Sequence, residues 1–94
     1  MIATNRKTFS LGQVVATPGA IALLEENQES PVTLLRRHSA CDWGDVCEED
    51  GELNDEALGA AGRLLSSYLV GDDKVWVITE ADRSATTLLT PEEY

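Results

Sequence analysis

The pattern of apolar and polar positions predicts two helices in the first half of the chain. Thr17-Pro18 and Ser30-Pro31 each place a capping hydroxyl immediately before a proline, an arrangement that favours the first turn of a helix. Apolar residues then recur at helical spacing. We therefore predict one helix that starts at Thr17 and stops near Asn27, and a second over roughly 31–40. The short gap between them predicts a corner or hairpin.

The last third of the chain is typical of β-structure. β-Branched and aromatic residues dominate 63–70, 74–80 and 84–90, and turn residues separate these runs. This pattern predicts a three-stranded antiparallel meander. Residues 9–16 contain apolar side chains of one parity, which predicts a further strand with Gly12 inside it. That strand would pair along an edge of the meander or beside its centre.

The segment between these regions is acidic and less regular. Asp42 is a potential helix cap for a short turn that contains Trp43, Val46 and Cys47. Residues 48–52 read as an acidic loop. Asn54 then has the position of an N-cap for a short third helix, which Gly59 or Gly62 would end.

The predicted order is therefore β-α-α-(α)-β-β-β. Helices separated along the chain from an antiparallel sheet predict a two-layer α+β domain with three to four strands and two or three helices on one side. A length of 94 residues fits one domain over 1–94, with the polar residues 1–8 frayed. Its core is small, so homodimerisation would stabilise it.

The net charge of the chain restricts its partners more than its overall composition does. The 17 acidic and 7 basic residues give a formal net charge of −10. Such a body repels nucleic-acid phosphates and anionic membranes, so we expect neither as a direct partner. The chain has no apolar run of transmembrane length and no signal-peptide pattern, and its two cysteines form no disulfide framework. We expect a cytoplasmic protein with reduced thiols.

The acidic segment is the first candidate site. It holds eight acids and no base: Asp42, Asp45, Glu48, Glu49, Asp50, Glu52, Asp55 and Glu56. We predict that these residues form a surface for a protein partner, and a basic DNA-handling protein would fit their charge. A solvated face that stabilises helix starts is the plain alternative. Calcium does not fit, because with Gly51 at position 6 of an EF-hand loop, positions 1 and 12 are Val46 and Ala57.

A second candidate uses Cys41, Cys47 and His38. His38 and Cys41 stand three apart, so a small enzyme or redox protein with a Cys–His pair is conceivable. The plain interpretation packs Cys47 as a small core residue and places His38 near a helix end. Zinc would need four ligands at recognisable spacing, which the chain lacks. The chain also has no dinucleotide, P-loop or hydrolase motif, so we expect no cofactor, no metal and no catalytic residue.

Two further features have both a plain and a functional interpretation. Trp43 and Trp76 fit either a binding groove or the large core residues of a Leu/Val-rich domain. Direct nucleic-acid binding would depend on Arg6, Lys7, Arg36 and Arg37 lying on one face, against the net charge.

Longer stretches carry a resemblance. LGQVVATPGAIALLEEN at 11–27, LLRRHSACDWGDVCEEDGELNDEAL at 34–58 and RLLSSYLVGDDKVWVITEADRSATTLLTPEEY at 63–94 resemble a family of short, uncharacterised bacterial proteins carried on plasmids and integrative elements. Some members are labelled as type I restriction subunit M. The resemblance implies a bacterial, cytoplasmic protein associated with mobile elements, and it brings no functional residues. The chain lacks the doubled proline of a DNA adenine methyltransferase motif and is too short to be that enzyme.

Together these features predict a non-enzymatic protein-binding module that serves a mobile element. A sharper form is a DNA mimic that modulates a restriction or other DNA-handling protein.

Overall fold

The computed structural model describes residues 9–60 and 62–94 as a four-stranded sheet with helices packed against it. The predicted α+β class and element order are confirmed, whereas the predicted fraying of 1–8 lies outside the described residues. The elements are β1 (Gln13–Ala16), α1 (Pro18–Glu26), α2 (Pro31–Ser39), α3 (Glu48–Ala60), β2 (Leu64–Val70), β3 (Asp73–Thr79), β4 (Ala85–Leu89) and a 3-10 turn (Pro91–Glu93).

The strand order in the sheet is β1-β4-β3-β2. β2, β3 and β4 form the predicted antiparallel meander. β1 pairs with the outer side of β4 in parallel, so the sheet is mixed and the prediction of a purely antiparallel sheet is wrong at this strand. α1 and α2 follow β1 and carry the chain across one face of the sheet, and β1 starts at Gln13, after Gly12. A parallel pair needs such a crossover connection.

Both helix starts predicted from hydroxyl–proline pairs are confirmed. The Thr17 hydroxyl accepts a hydrogen bond from the Ala20 N–H at 3.2 Å, and the Ser30 hydroxyl accepts one from Val32 at 3.1 Å. A proline follows each cap within the first turn. Each cap satisfies an N–H that has no partner within the helix.

The 3-10 turn also reinforces the start of α1. Its Glu93 carboxylate accepts hydrogen bonds from the Thr17 hydroxyl at 2.5 Å and from the Gly19 N–H at 3.0 Å. The hydrogen bond from Thr17, followed by that from the Thr90 N–H, lowers the Glu93 pKa to about 2. The carboxylate therefore lies at the positive end of the α1 dipole, where it is stabilised as an anion.

The core lies between α1, α2 and one face of the sheet. Side chains of one parity on the meander strands meet side chains from the two helices: Ala20, Leu24, Leu34, Tyr68, Val70, Val75, Val77 and Leu88. Alternate residues of the same strands point to the opposite face, which these helices leave uncovered.

Helix α3 departs most from the sequence prediction. Residues 48–52 are its first turns rather than a loop, and Asn54 lies inside it rather than at its start. The Asn54 side chain is buried, and its amide makes two hydrogen bonds to the backbone of Leu65, as donor to the C=O at 2.7 Å and as acceptor from the N–H at 3.0 Å. This contact replaces a missing neighbouring strand, so α3 lies along the outer edge of β2.

Replacing Asn54 with alanine is expected to lower the free energy of unfolding by about 1–2 kcal/mol, because it leaves two strand-edge groups without partners. Urea denaturation measures this change. Glu52→Ala is the control, since Glu52 is exposed on the same helix, and we expect it to change stability by less than about 0.5 kcal/mol. Equal effects of the two substitutions would contradict the strand-edge role of Asn54.

The segment 42–47 is irregular, with one isolated bridge at Gly44 and no helical residue, so the predicted helical turn there is wrong. Like α3, this segment bonds to backbone groups on the outer edge of β2. The Ser67 N–H donates to the Trp43 C=O at 3.0 Å, and the Asp45 N–H donates to the Ser67 C=O at 2.5 Å. Gly44 pairs with Ser67 at the centre of this contact. Backbone pairing satisfies strand-edge groups better than an isolated helical turn could.

In the described ranges, no helix combines the length and apolar character needed to cross a membrane.

Candidate functional site

The eight acids of the candidate surface divide into two groups in the structure. Three have polar partners: Asp42 pairs with Arg37 at 2.7 Å, Asp45 pairs with Lys74 at 2.9 Å, and Asp55 accepts a hydrogen bond from the Trp43 indole at 3.2 Å. The hydrogen bond from Arg37 holds the Asp42 pKa below its ordinary value. These three acids therefore already have partners within the protein.

The other five acids belong to α3. They are exposed and form no ion pair among the described residues: Glu48, Glu49, Asp50, Glu52 and Glu56. At 100° per residue, four of these side chains fall on one solvent-facing side of the helix. We call this the acidic face and define it as Glu48, Glu49, Glu52 and Glu56. Asp50 points away from it.

The acidic face also has a structural effect. Glu48 and Glu49 lie in the first turn of α3, where negative charge interacts favourably with the helix dipole. Glu52 and Glu56 lie beyond that turn and gain little from it. Four like charges with no cation paired to them in the described part of the chain therefore exceed what capping of the helix explains.

Beside α3 the structure contains an apolar cleft of about 360 Å³, of whose lining residues the sequence suggested only Trp76 as part of a groove. It lies on the sheet face opposite the core. Leu65, Trp76 and Ile78 form its floor, α3 and Tyr94 form its walls, and the rim carries one acid and one base, Asp50 and Arg63. This volume is within the range of pockets that hold small molecules or single anchoring side chains.

Aromatic contacts fix the far wall of the cleft. The rings of Trp76 and Tyr94 meet edge to face with centroids 5.5 Å apart. The Arg63 guanidinium donates to the Tyr94 hydroxyl at 3.1 Å and lies 3.7 Å from the Glu80 carboxylate. Trp43, by contrast, is a buried residue. Trp43 therefore fits the interpretation as a core residue, and Trp76 fits the interpretation as a residue of a groove.

Leu53 joins the cleft to the acidic face. Its side chain is 61% exposed and forms part of the cleft wall. Glu49 and Glu56 stand four residues before it and three residues after it, and residues at these spacings are neighbours on a helix surface, about 5–6 Å apart. An exposed leucine thus sits between two acids that form no ion pair within 9–60 and 62–94, at the mouth of an apolar groove.

A run of polar side chains in the interior centres on His38, which is fully buried. Its Nδ1 lies 2.5 Å from the Ser66 hydroxyl and its Nε2 lies 2.9 Å from that of Thr79. Thr79 in turn lies 2.7 Å from the hydroxyl of Thr86, which donates to the Leu11 C=O.

This chain fixes the histidine tautomer. The Thr86 hydroxyl donates its proton to the Leu11 C=O, so Thr79 must be the donor to Thr86. The Thr79 oxygen is then the acceptor for the Nε2–H of His38. Nδ1 is then the acceptor for Ser66 in the neutral ring. Burial, with a smaller contribution from the Arg83 charge, lowers the His38 pKa to about 4. His38 is therefore a neutral structural residue at physiological pH.

The Cys–His hypothesis gains no support from this arrangement. Both ring nitrogens of His38 contact hydroxyl groups, so neither is available to a thiol. Cys41 is partly buried and Cys47 is exposed, and no disulfide joins them. The plain interpretation of Cys47 as a core residue is wrong, because its side chain is exposed in the irregular segment directly before α3. Over residues 9–60 and 62–94, no group of three or more His, Cys, Asp or Glu side chains is placed to hold a metal ion.

A pattern in the sequence indicates the floor of the apolar cleft. The run VWVI at 75–78 is apolar on both parities, which is typical of a strand covered on both faces. The wall formed by Tyr94 left no such trace, because it depends on how the 3-10 turn folds back.

Comparison of the chain with protein-family models, with curated proteins and with solved structures finds no match.

Proposed function

We propose that this protein is a non-enzymatic binding module whose acidic face recognises a basic surface on another protein. The observation that carries the proposal is the grouping of Glu48, Glu49, Glu52 and Glu56 on one side of α3, exposed and without cations among the described residues. Unpaired surface charges of one sign raise the association rate with an oppositely charged partner and select against partners of like charge.

A DNA-handling protein is the specific partner class that we propose to test first. The acidic face extends over about 12 Å of helix, since each residue rises 1.5 Å. Its four charges are therefore on average about 4 Å apart along the axis, close to the roughly 3.4 Å between phosphates along one strand of duplex DNA. The resemblance to proteins of plasmids and integrative elements makes bacterial restriction and DNA-processing proteins the first candidates. In this form of the proposal, duplex DNA competes with the protein for its partner.

The test neutralises the acidic face without changing its shape. We expect the quadruple variant E48Q/E49Q/E52Q/E56Q to lose partner binding by about tenfold or more, since each exposed charge pair is worth about 0.2–1 kcal/mol. The measurement is quantitative capture from nuclease-treated bacterial lysate on immobilised protein, with mass spectrometry, at low and moderate salt. Proteins retained by the unmodified chain at low salt should be lost both with the variant and at moderate salt.

A matched variant separates the acidic face from net charge. E25Q/E26Q/E29Q/E92Q also removes four exposed glutamates, none of which belongs to α3. We expect it to keep the same partners as the unmodified chain. Equal capture by both quadruple variants, with both folded by circular dichroism, would overturn the proposal.

A further inference from the structure

The apolar cleft has a charged surround that restricts what can occupy it. Its wall residue Leu53 is flanked on α3 by Glu49 and Glu56, and its rim carries Asp50. Arg63 is the cation of the rim, and it already contacts Tyr94 and Glu80. Among the residues that the structure describes, the unpaired charge at the mouth of the cleft is therefore negative, which disfavours an anionic ligand and favours an apolar group carried beside positive charge.

The shape of the cleft is suited to a side chain. Its floor and far wall are Leu65, Trp76, Ile78 and Tyr94, so the groups that an occupant meets are mostly apolar or aromatic. The only buried polar side chain among its lining residues, Asn54, already bonds to the backbone of Leu65 through both its amide nitrogen and its amide oxygen. An aromatic or large aliphatic group fits this lining, and central pockets of this kind hold anchor residues at protein interfaces.

We infer that the cleft holds one large apolar side chain of a basic partner segment, while lysine or arginine side chains of that segment lie along the acidic face. Recognition of an amphipathic helix by an apolar groove follows the same physical scheme. This inference rests on the proposed function and gives it a partner class: a segment with an apolar anchor flanked by cations. Charge along the acidic face sets the attraction, and the anchor sets the register.

The probe is a 15-residue alanine–lysine helical peptide with one central phenylalanine, labelled with fluorescein for anisotropy titration. Two companion peptides replace the phenylalanine with alanine or every lysine with glutamate. We expect the first peptide to bind, the alanine peptide to bind about 10- to 100-fold more weakly because apolar burial is lost, and the glutamate peptide not to bind.

Protein variants locate the anchor. Leu53→Ala should weaken binding of the phenylalanine peptide by about fivefold or more and leave the alanine peptide unchanged. Leu69→Ala is the matched control, because Leu69 is 62% exposed but lies on β2 and does not line the cleft. In ¹⁵N-NMR spectra, the indole signal of Trp76 should shift on binding, and that of the buried Trp43 should shift much less.

The outcomes separate the two proposals. Binding of the phenylalanine and alanine peptides with equal affinity, with no shift of the Trp76 signal, would overturn the cleft inference and leave charge recognition standing. Absence of binding by both lysine peptides at low salt would overturn charge recognition and the cleft inference with it. Loss of phenylalanine-peptide affinity in Leu53→Ala but not Leu69→Ala confirms the anchor.

Discussion

Acidification from pH 7 to pH 4 is expected to lower the free energy of unfolding by about 3 kcal/mol through His38. In the unfolded chain this histidine has its ordinary pKa of about 6.5, whereas burial lowers the folded pKa to about 4. Between these values the unfolded state binds the proton first. The contribution of His38 is therefore complete above pH 6.5, declines as the pH falls towards 4 and declines no further below that.

The window from pH 7 to pH 5 isolates this effect. His38 is the single histidine of the sequence, and the acids whose pKa is lowered in the fold, including Asp42 and Glu93, titrate below it. Urea denaturation at pH 7, 6 and 5 should show a loss of about 2 kcal/mol. His38→Gln should show almost no change over the same window.

An independent measurement covers the case in which the variant does not fold. The imidazole proton signals of the unmodified chain, followed by NMR, should not titrate until the pH approaches 4. A midpoint near 6.5 in the folded protein, or an equally steep pH dependence in His38→Gln, would contradict the neutral buried histidine.

Gly44→Ala is expected to lower the free energy of unfolding by about 2–4 kcal/mol. Gly44 has a φ of +74°, which disfavours any residue with a Cβ, and an added Cβ would lie 2.2 Å from the carbonyl oxygen of Ser67. The clash is with backbone, so it can be relieved only by separating segment 42–45 from β2. The substitution therefore acts on conformation and packing together.

Gly59→Ala is the matched control. Gly59 lies in α3, and an added Cβ there would meet no atom of the described residues within 4 Å. Alanine is the better helix former, so this variant should be more stable than the unmodified protein by about 0.5–1 kcal/mol. Chemical denaturation of the two variants under one condition gives both values. A Gly44→Ala variant as stable as Gly59→Ala would show that segment 42–45 does not depend on this contact.

Local signals in the sequence predicted the parts of the fold that depend on local chemistry. Thr17-Pro18 and Ser30-Pro31 start helices because a hydroxyl cap and a proline act within one turn. The meander follows from alternating apolar runs and from the Gly71-Asp72 turn, in which Gly71 has a φ of +64°. In each case the interaction lies within a few residues of the signal.

Long-range contacts account for the errors. Helix α3 begins with acids, a glycine and an asparagine, which locally suggest a loop; it forms where Asn54 can bond to Leu65. The parallel pairing of β1 with β4 depends on the crossover by α1 and α2, which no local pattern encodes. Propensity gives way to tertiary contacts in both cases.

The same distinction between local signals and long-range contacts applies to the candidate site. The position and charge of the acidic segment could be read from the sequence, but its grouping could not. Pairing of Asp45 with Lys74, for example, removes an acid from the surface through a residue 29 positions away. The cleft depends on Trp76 and Tyr94 meeting across the sheet face, a contact that only the folded chain creates.

The position of β1 also has a consequence for synthesis. A nascent chain makes β1 and the first turn of α1 early, yet β4 supplies the only strand that β1 pairs with in the described residues. The carboxylate that completes the start of α1 belongs to a residue 76 positions after Thr17. Translation must therefore complete β4, which ends at Leu89, before β1 can pair along it, and must reach Glu93 before the carboxylate contact can form. A strand without its partner is open to wrong pairing until then. The complete sheet can therefore form only late in translation. Ribosome pauses near the end of the message would lengthen the time during which β1 is exposed.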